Sequence, residues 1–221
     1  MQGALLRMNE KEFGFVIKRF LPNKTTFCMV TRTQGKVTVA MKRVRQCSML
    51  WPGMFVSFFY SQRDHQRIHA EGVEILSVFP SSTFEDTTWL YHLLELCYFF
   101  IPSHNVCSEI FNFLLKIFIV MNYKVLIEPH IEVMHEISII KLLILFGFQP
   151  REKIFKLSEV FDNLPDHSID FENEQKVELV KNQLEAVCPQ LIKEAKKWAE
   201  TCLHSHPSFR SFKTVKIQQV P

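Results

Sequence analysis

The chain changes its hydrophobic pattern at Pro80, and this change limits the folds that it can adopt. Before Pro80, the apolar residues lie in short runs rich in β-branched and aromatic side chains, which are typical of strands. After Pro80, they lie in runs of about a dozen residues, a length typical of helices. The sequence therefore predicts an α+β protein with two domains, residues 1–80 and residues 81–221.

Strand-like runs fill the first domain, at Gly14–Arg19, Thr26–Thr31, Lys36–Lys42, Met54–Tyr60 and Arg67–Phe79. Gln34-Gly35 predicts a tight turn between the second and third runs, and Gly72 predicts a bulge within the fifth. Five short strands in about 65 residues are typical of a small closed barrel, and the OB-fold is the commonest such barrel that binds nucleic acid. We therefore expect an N-terminal five-stranded OB-fold barrel followed by an all-α C-terminal domain.

The second domain contains helix start and stop signals, and we expect it to form a packed helical bundle that binds protein partners. Ser82-x-x-Glu85 is a capping-box signature, Pro102 ends the first helix near Ile101, and Pro189 breaks or kinks the last one. The predicted helices cover residues 82–101, 105–122, 128–147 and 172–202, whereas 151–171 and 207–221 have the character of irregular segments.

The net charge of +3, from 26 basic and 23 acidic residues, conceals a difference between the two domains. Residues 1–80 hold 12 Lys and Arg against 5 Asp and Glu, which leaves 14 against 18 in the remainder. A basic barrel joined to a mildly acidic domain indicates that the N-terminal end meets a polyanion. The predicted DNA-binding residues, at strand ends and in loops, are Lys18, Arg19, Lys24, Arg32, Lys36, Lys42, Arg43, Arg45, Arg63, Arg67 and the aromatic Tyr60.

Two interpretations of these residues remain open. In the first, the cations follow one phosphate track, and aromatic residues such as Phe58, Phe59 and Tyr60 stack on bases. In the second, the aromatic side chains belong to the core, the charges are solvated, and the barrel is a protein-interaction module that does not bind DNA. The excess of cations at loop ends favours nucleic-acid binding, although for any single phenylalanine the core is favoured.

Signatures of catalysis are absent from the sequence. It contains no GxxxxGK[ST] phosphate loop and no GxGxxG, HExxH or GxSxG motif, so we predict no catalytic site and no cofactor. Cys202-x-His204-x-His206 resembles a metal site, but it lacks the paired spacing of zinc knuckles and is better explained as a histidine-rich helix end. A zinc-dependent hydrolase that uses these three residues remains the alternative.

The cysteines form no CxxC pair and are too sparse for a disulfide scaffold; they are Cys28, Cys47, Cys97, Cys107, Cys188 and Cys202. We therefore expect buried free thiols in a reducing cytosol. The N-terminal residues lack the apolar segment of a signal peptide, and each apolar run is interrupted by a charge. We expect neither export nor a membrane span, and a span within the largely apolar Val106–Ile127 is the alternative.

The order of these segments resembles the bacterial recombination-repair family RecO. At the N-terminal end, the resemblance rests on Gly14–Arg19, the turn Gln34-Gly35-Lys36-Val37 and the basic exit Lys42-Arg43-Val44-Arg45. It continues in the helix around Ile140-Lys141-Leu142-Leu143 that ends at Phe146-Gly147-Phe148-Gln149-Pro150, and in the basic segment Phe209-Arg210-Ser211-Phe212-Lys213.

The resemblance implies a non-enzymatic mediator of DNA repair and recombination in the bacterial cytoplasm, associated with the nucleoid. Such proteins bind single- and double-stranded DNA, anneal complementary strands, bind the C-terminal tail of single-stranded-DNA-binding protein, and act with RecR to load RecA. Lys141 stands where the family commonly has arginine, and is expected to anchor a carboxylate of the partner peptide. Many members carry a four-cysteine zinc site after this helix, but residues 151–187 contain no cysteine, so we expect no zinc there.

Overall fold

The computed structural model describes residues 11–20, 25–41, 48–64, 67–80, 83–123, 128, 130–164 and 174–207. In these residues a five-stranded sheet is followed by six helices, which confirms the predicted α+β class. The strands are β1 Lys11–Arg19, β2 Thr26–Thr31, β3 Gly35–Met41, β4 Met54–Asp64 and β5 Arg67–Val78. The helices are α1 Phe84–Phe100, α2 Ser108–Asn122, α3 Ile131–Leu145, α4 Glu152–Asp162, α5 Glu174–Glu185 and α6 Pro189–Ser205. Within this part of the chain, none of the helices has the length and apolar character needed to span a membrane.

The sheet closes on itself. Hydrogen bonds join the strands in the order β1-β2-β3-β5-β4, and β4 also pairs with β1, so every strand has two paired neighbours. Neighbouring strands are antiparallel except β3 and β5, whose parallel register aligns Val39 with Ile68. Register shifts in β1 and along the β4–β5 pair supply the irregularities that allow a short sheet to curl tightly.

Alternate side chains along the strands fill the interior of the closed sheet. Phe27 and Met29 of β2 and alternate residues of β3 from Val37 to Met41 belong to one buried cluster, and β4 contributes Val56 and Phe58 in the same way. Because side chains alternate between the two faces of a strand, the intervening residues of β1 to β4 face outward. Phe15, from the outward set of β1, is nevertheless fully buried, so another part of the chain must cover it.

The segment that covers Phe15 comes from beyond Pro80. Two compact units divide the chain, Met1–Phe79 with Leu94–Phe111, and Pro80–Leu93 with Asn112–Pro221. Within the first unit, the ring centroid of Phe15 lies 4.7 Å from that of Phe55 and 5.3 Å from that of Phe111. Leu94–Phe111 therefore groups with the sheet, although the sequence pattern assigns it to the helical domain.

Local signals define the helix ends. At the start of α1, the Thr83 hydroxyl accepts a hydrogen bond from the Asp86 N–H at 3.0 Å, and the Thr83 N–H donates to Asp86 Oδ2 at 3.2 Å. The capping box is thus Thr83-x-x-Asp86, one residue later than the predicted Ser82-x-x-Glu85. At the end of α3, the Gly147 N–H donates to Ile144 O at 2.8 Å, and the Phe148 N–H donates to Leu143 O at 3.2 Å. These two bonds form the glycine-terminated helix end that the sequence predicts near Gly147.

The prediction that residues 151–171 are irregular is wrong for their first half, because α4 occupies Glu152–Asp162. Its buried residues, Ile154, Leu157, Ser158 and Phe161, have the spacing of one helix face. The charged residues on the exposed face obscured this short apolar stripe. The predicted break at Pro189 is confirmed, since Pro189 opens α6 after α5 has ended.

Candidate nucleic-acid interface

The structure describes the side chains of only some predicted DNA-binding residues. Lys18, Arg19, Arg32, Lys36 and Tyr60 are described in full. Arg63 and Arg67 lie in β4 and β5, but their side chains lie outside the described part. Four more predicted residues lie outside the described ranges altogether, namely Lys24, Lys42, Arg43 and Arg45.

Lys18 and Lys36 both contact Tyr98, a residue of Leu94–Phe111, the covering segment that packs over Phe15. The Lys18 ammonium lies 3.6 Å from the ring centroid of Tyr98, and Lys36 Nζ donates a hydrogen bond of 2.7 Å to the Tyr98 carbonyl oxygen. This carbonyl belongs to the last turn of α1, where carbonyl groups lack partners within the helix and a positive charge is stabilising. The two lysines therefore attach Leu94–Phe111 to the outer face of the sheet.

The environment of Lys36 is partly buried and contains two thiols. Burial lowers the pKa of Lys36 below its ordinary value, and Lys18 lowers it further, while Cys28 and Cys97 act in the opposite sense. Burial also raises the pKa of Cys28 to about 12 and raises the pKa of Cys97. Both thiols are therefore protonated at neutral pH, and neither is an activated nucleophile.

The five described cysteines are free, as the sequence predicts. Cys28, Cys97 and Cys202 are buried, but Cys188 is exposed, so the expectation of burial is wrong for that residue. Cys47 lies outside the described residues.

Arg19 points away from Lys18 and meets Trp51 at one end of the sheet. The Arg19 guanidinium carbon lies 4.9 Å from the Trp51 ring centroid and 5.9 Å from that of Phe27. Arg19 Nε is buried and has no hydrogen-bond partner among the described residues. Trp51 itself is 54% exposed. The result is a cation held against a large aromatic surface that solvent can reach.

Backbone hydrogen bonds fix the turn that carries Trp51. The Met54 N–H donates to Trp51 O at 3.3 Å, and the Gly53 N–H donates to Val16 O in β1 at 2.8 Å. The Phe79 N–H donates to Gly53 O at 3.2 Å, which ties the same turn to the end of β5. The turn that carries Trp51 is thus held through Gly53 by β1 on one side and by the end of β5 on the other.

Trp51 is the residue that the sequence reasoning missed. Trp51-Pro52-Gly53 marks the boundary of a strand, and this role is sufficient to explain the tripeptide in the sequence. The missed signal is a tryptophan next to Pro-Gly, in the connection between the basic segment Lys42–Arg45 and the strand that begins at Met54. The end of the sheet that holds Trp51 and Arg19 is also where β1 and β3 end and where β2 and β4 begin.

Tyr60 and Arg32 belong to a different region. Gln34 Nε2, in the β2–β3 turn, donates a hydrogen bond of 3.1 Å to the Tyr60 hydroxyl, and the Tyr60 ring packs against the buried cluster. Arg32 is exposed at the same turn, where the neighbouring Thr33 hydroxyl donates to the carboxylate of buried Glu12. These residues are not brought together with Arg19.

Lys141 lies on α3 and is paired within the protein. Its ammonium is 2.7 Å from Asp162 Oδ2 at the end of α4. Lys116 Nζ donates to the carbonyl oxygen of the same residue at 2.9 Å. A partner carboxylate at Lys141 would therefore have to compete with Asp162.

The predicted helix end near Cys202 contains no metal-like geometry. Cys202 is buried and His204 is exposed, and the described part of the chain holds no group of three or more His, Cys, Asp or Glu side chains that could bind an ion.

Comparison with known proteins finds no matching protein-family model and no significantly similar curated protein.

Proposed function

We propose that this chain is a nucleic-acid-binding protein that acts as a RecO-like mediator of recombination repair. Its closed sheet has the strand order β1-β2-β3-β5-β4 with β3 parallel to β5, which is the arrangement we expect of an OB-type barrel. OB barrels bind oligonucleotides partly through the loop between their first two strands, and Arg19 directly precedes that loop here. The fold alone supports many functions, so the proposal depends on the site.

The observation that carries the proposal is the Arg19–Trp51 pair. An exposed indole offers a stacking surface to a base, and the guanidinium beside it offers a positive charge to the phosphate of the same nucleotide. Lys24, Lys42, Arg43 and Arg45, which the sequence predicts as phosphate contacts, belong to the segments that follow β1 and β3. Binding then depends on charge and stacking, with little reading of base edges.

The wider role in recombination rests on the resemblance to RecO. In this proposal the protein anneals complementary strands, acts with RecR to load RecA, and binds the tail of single-stranded-DNA-binding protein through its helical part. Lys141 is the proposed anchor, and a carboxylate of the tail replaces Asp162 as its partner. Nucleoid association would follow from DNA binding.

One observation favours the alternative of a protein-interaction module without DNA binding. Lys18 and Lys36, two of the cations counted toward a phosphate track, are directed at Tyr98 within the protein. They therefore leave fewer charges for a polyanion than the sequence count indicates. Salt-dependent binding to DNA decides between the two functions.

We expect Arg19→Ala to weaken binding to single-stranded DNA and to reduce its salt dependence. Each phosphate contact on a single strand contributes about −0.7 to the slope of log affinity against log salt concentration. Loss of one contact should make the slope shallower by about 0.7. The measurement is fluorescence anisotropy of a labelled oligothymidylate, titrated at several salt concentrations.

Lys11→Ala is the matched control for this experiment. Lys11 is a cation of the same strand at its opposite end, paired with Glu74 at 3.5 Å, and its replacement should leave the salt slope unchanged. An Arg19→Ala slope equal to that of the parent would contradict the proposed site. Absence of salt-dependent binding by the parent would favour the protein-interaction module.

A further inference from the structure

We infer that the Arg19–Trp51 pair selects unpaired over paired nucleic acid. This inference rests on the proposed function and names the form of DNA that the site recognises. The two residues form an exposed stacking surface, which needs the flat face of a base. In a duplex those faces are covered by neighbouring bases, and a protein reaches only base edges and the backbone.

The position of Trp51 within the fold supports stacking on a single strand. Its turn is hydrogen-bonded to β1 through Val16 and to Phe79 at the end of β5, so the backbone that carries the ring is held in place before a base arrives. Side chains that are ordered before binding lose less entropy on binding. The indole, carried on a hydrogen-bonded turn and 4.9 Å from the Arg19 guanidinium carbon, is therefore placed to stack on one base.

Two exposed apolar residues lie close to Trp51, one in the chain and one through strand pairing. Met49 and Val78 are both exposed, and Val78 pairs with Met54, to which the Trp51 turn is bonded. Apolar side chains of this kind suit the faces of unpaired bases and offer no hydrogen bond to a phosphate. The only described cation with a contact to Trp51 is Arg19. Duplex binding, which depends on phosphate contacts, should thus make little use of Trp51.

The test compares the parent, Trp51→Ala and Trp51→Phe on two probes. These are an oligothymidylate of about 16 nucleotides, the upper end of an OB-fold site, and a blunt duplex of equal length. Trp51→Ala should lower affinity for the single strand roughly 5- to 150-fold, the equivalent of one stacked base, and should leave affinity for the duplex unchanged. Trp51→Phe keeps an aromatic face and should restore part of the single-strand affinity.

Phe84→Ala is the matched control, because Phe84 is an exposed aromatic residue (73%) of the other compact unit. It should change neither affinity. Equal losses on both probes would overturn the inference while leaving the proposed function intact. No loss on the single strand, where the parent binds it, would overturn both the inference and the proposed binding site. A parent that binds neither probe would overturn both. Should Trp51→Ala fail to fold, the single-strand-specific loss must appear in Trp51→Phe, and its absence there counts against the inference.

Discussion

Phe111→Ala should lower the free energy of unfolding by about 3–5 kcal/mol, the usual cost of removing a buried aromatic ring. Phe111 is 3% exposed, and its ring centroid lies 5.3 Å from that of Phe15 and 6.3 Å from that of Phe55. Its loss leaves a cavity against two rings of the sheet. Urea denaturation measures the effect as a lower midpoint at an unchanged slope.

Phe84→Ala serves as the control for this substitution, since it removes the same number of atoms from an exposed position. Its effect should stay within about 0.5 kcal/mol. If Phe111→Ala also costs less than about 1 kcal/mol, then Leu94–Phe111 does not belong to the folded unit of the sheet. The assignment of Lys18 and Lys36 to structural contacts with Tyr98 would lose its basis as well.

Gly35→Ala should destabilise the protein by at least about 2 kcal/mol, for two additive reasons. Gly35 has a φ of 68°, which L residues with a Cβ adopt only at a cost. A Cβ at this position would also overlap the carbonyl of Asn105 in the covering segment. Nearby, the His104 N–H donates to Lys36 O at 2.8 Å, so hydrogen exchange of that amide should accelerate in the variant.

Gly147→Ala measures the backbone cost of a positive φ without the steric overlap. Gly147 has a φ of 93°, and no neighbouring atom lies within 4 Å of the point that an alanine Cβ would occupy. Only the backbone cost of about 1–2 kcal/mol therefore applies. Denaturation of both variants under the same conditions gives the difference. A Gly35→Ala cost no larger than that of Gly147→Ala would show that Asn105 does not pack against the β2–β3 turn.

The sheet was predictable from sequence because its signal is local. Thr26–Thr31 is predicted with the bounds that the structure gives, since β-branched and aromatic residues fill it and turn residues flank it. The Gln34-Gly35 turn and the break at Pro189 depend in the same way on the conformational limits of glycine and proline. The helix at Glu152–Asp162 was missed because only four of its residues are buried.

The grouping of Leu94–Phe111 with the sheet was not predictable, because it depends on contacts between residues far apart in sequence. An apolar helix shows that it is buried but does not show which surface covers it. The candidate site was predictable in part. Lys18 and Arg19 are neighbours in a strand and so must point to opposite faces, but the sequence does not reveal that one meets Tyr98 and the other Trp51.

The central claim is that nucleic acid binds at the Arg19–Trp51 end of the sheet. Its most direct test records tryptophan emission while oligothymidylate is added to the full chain. The chain has three tryptophans; Trp89 is buried, and Trp198 lies in α6 of the other compact unit. Binding at this end should quench the emission, and the quenching should disappear in Trp51→Phe and persist in Trp198→Phe. Undiminished quenching in Trp51→Phe, with binding verified by anisotropy, would contradict the claim.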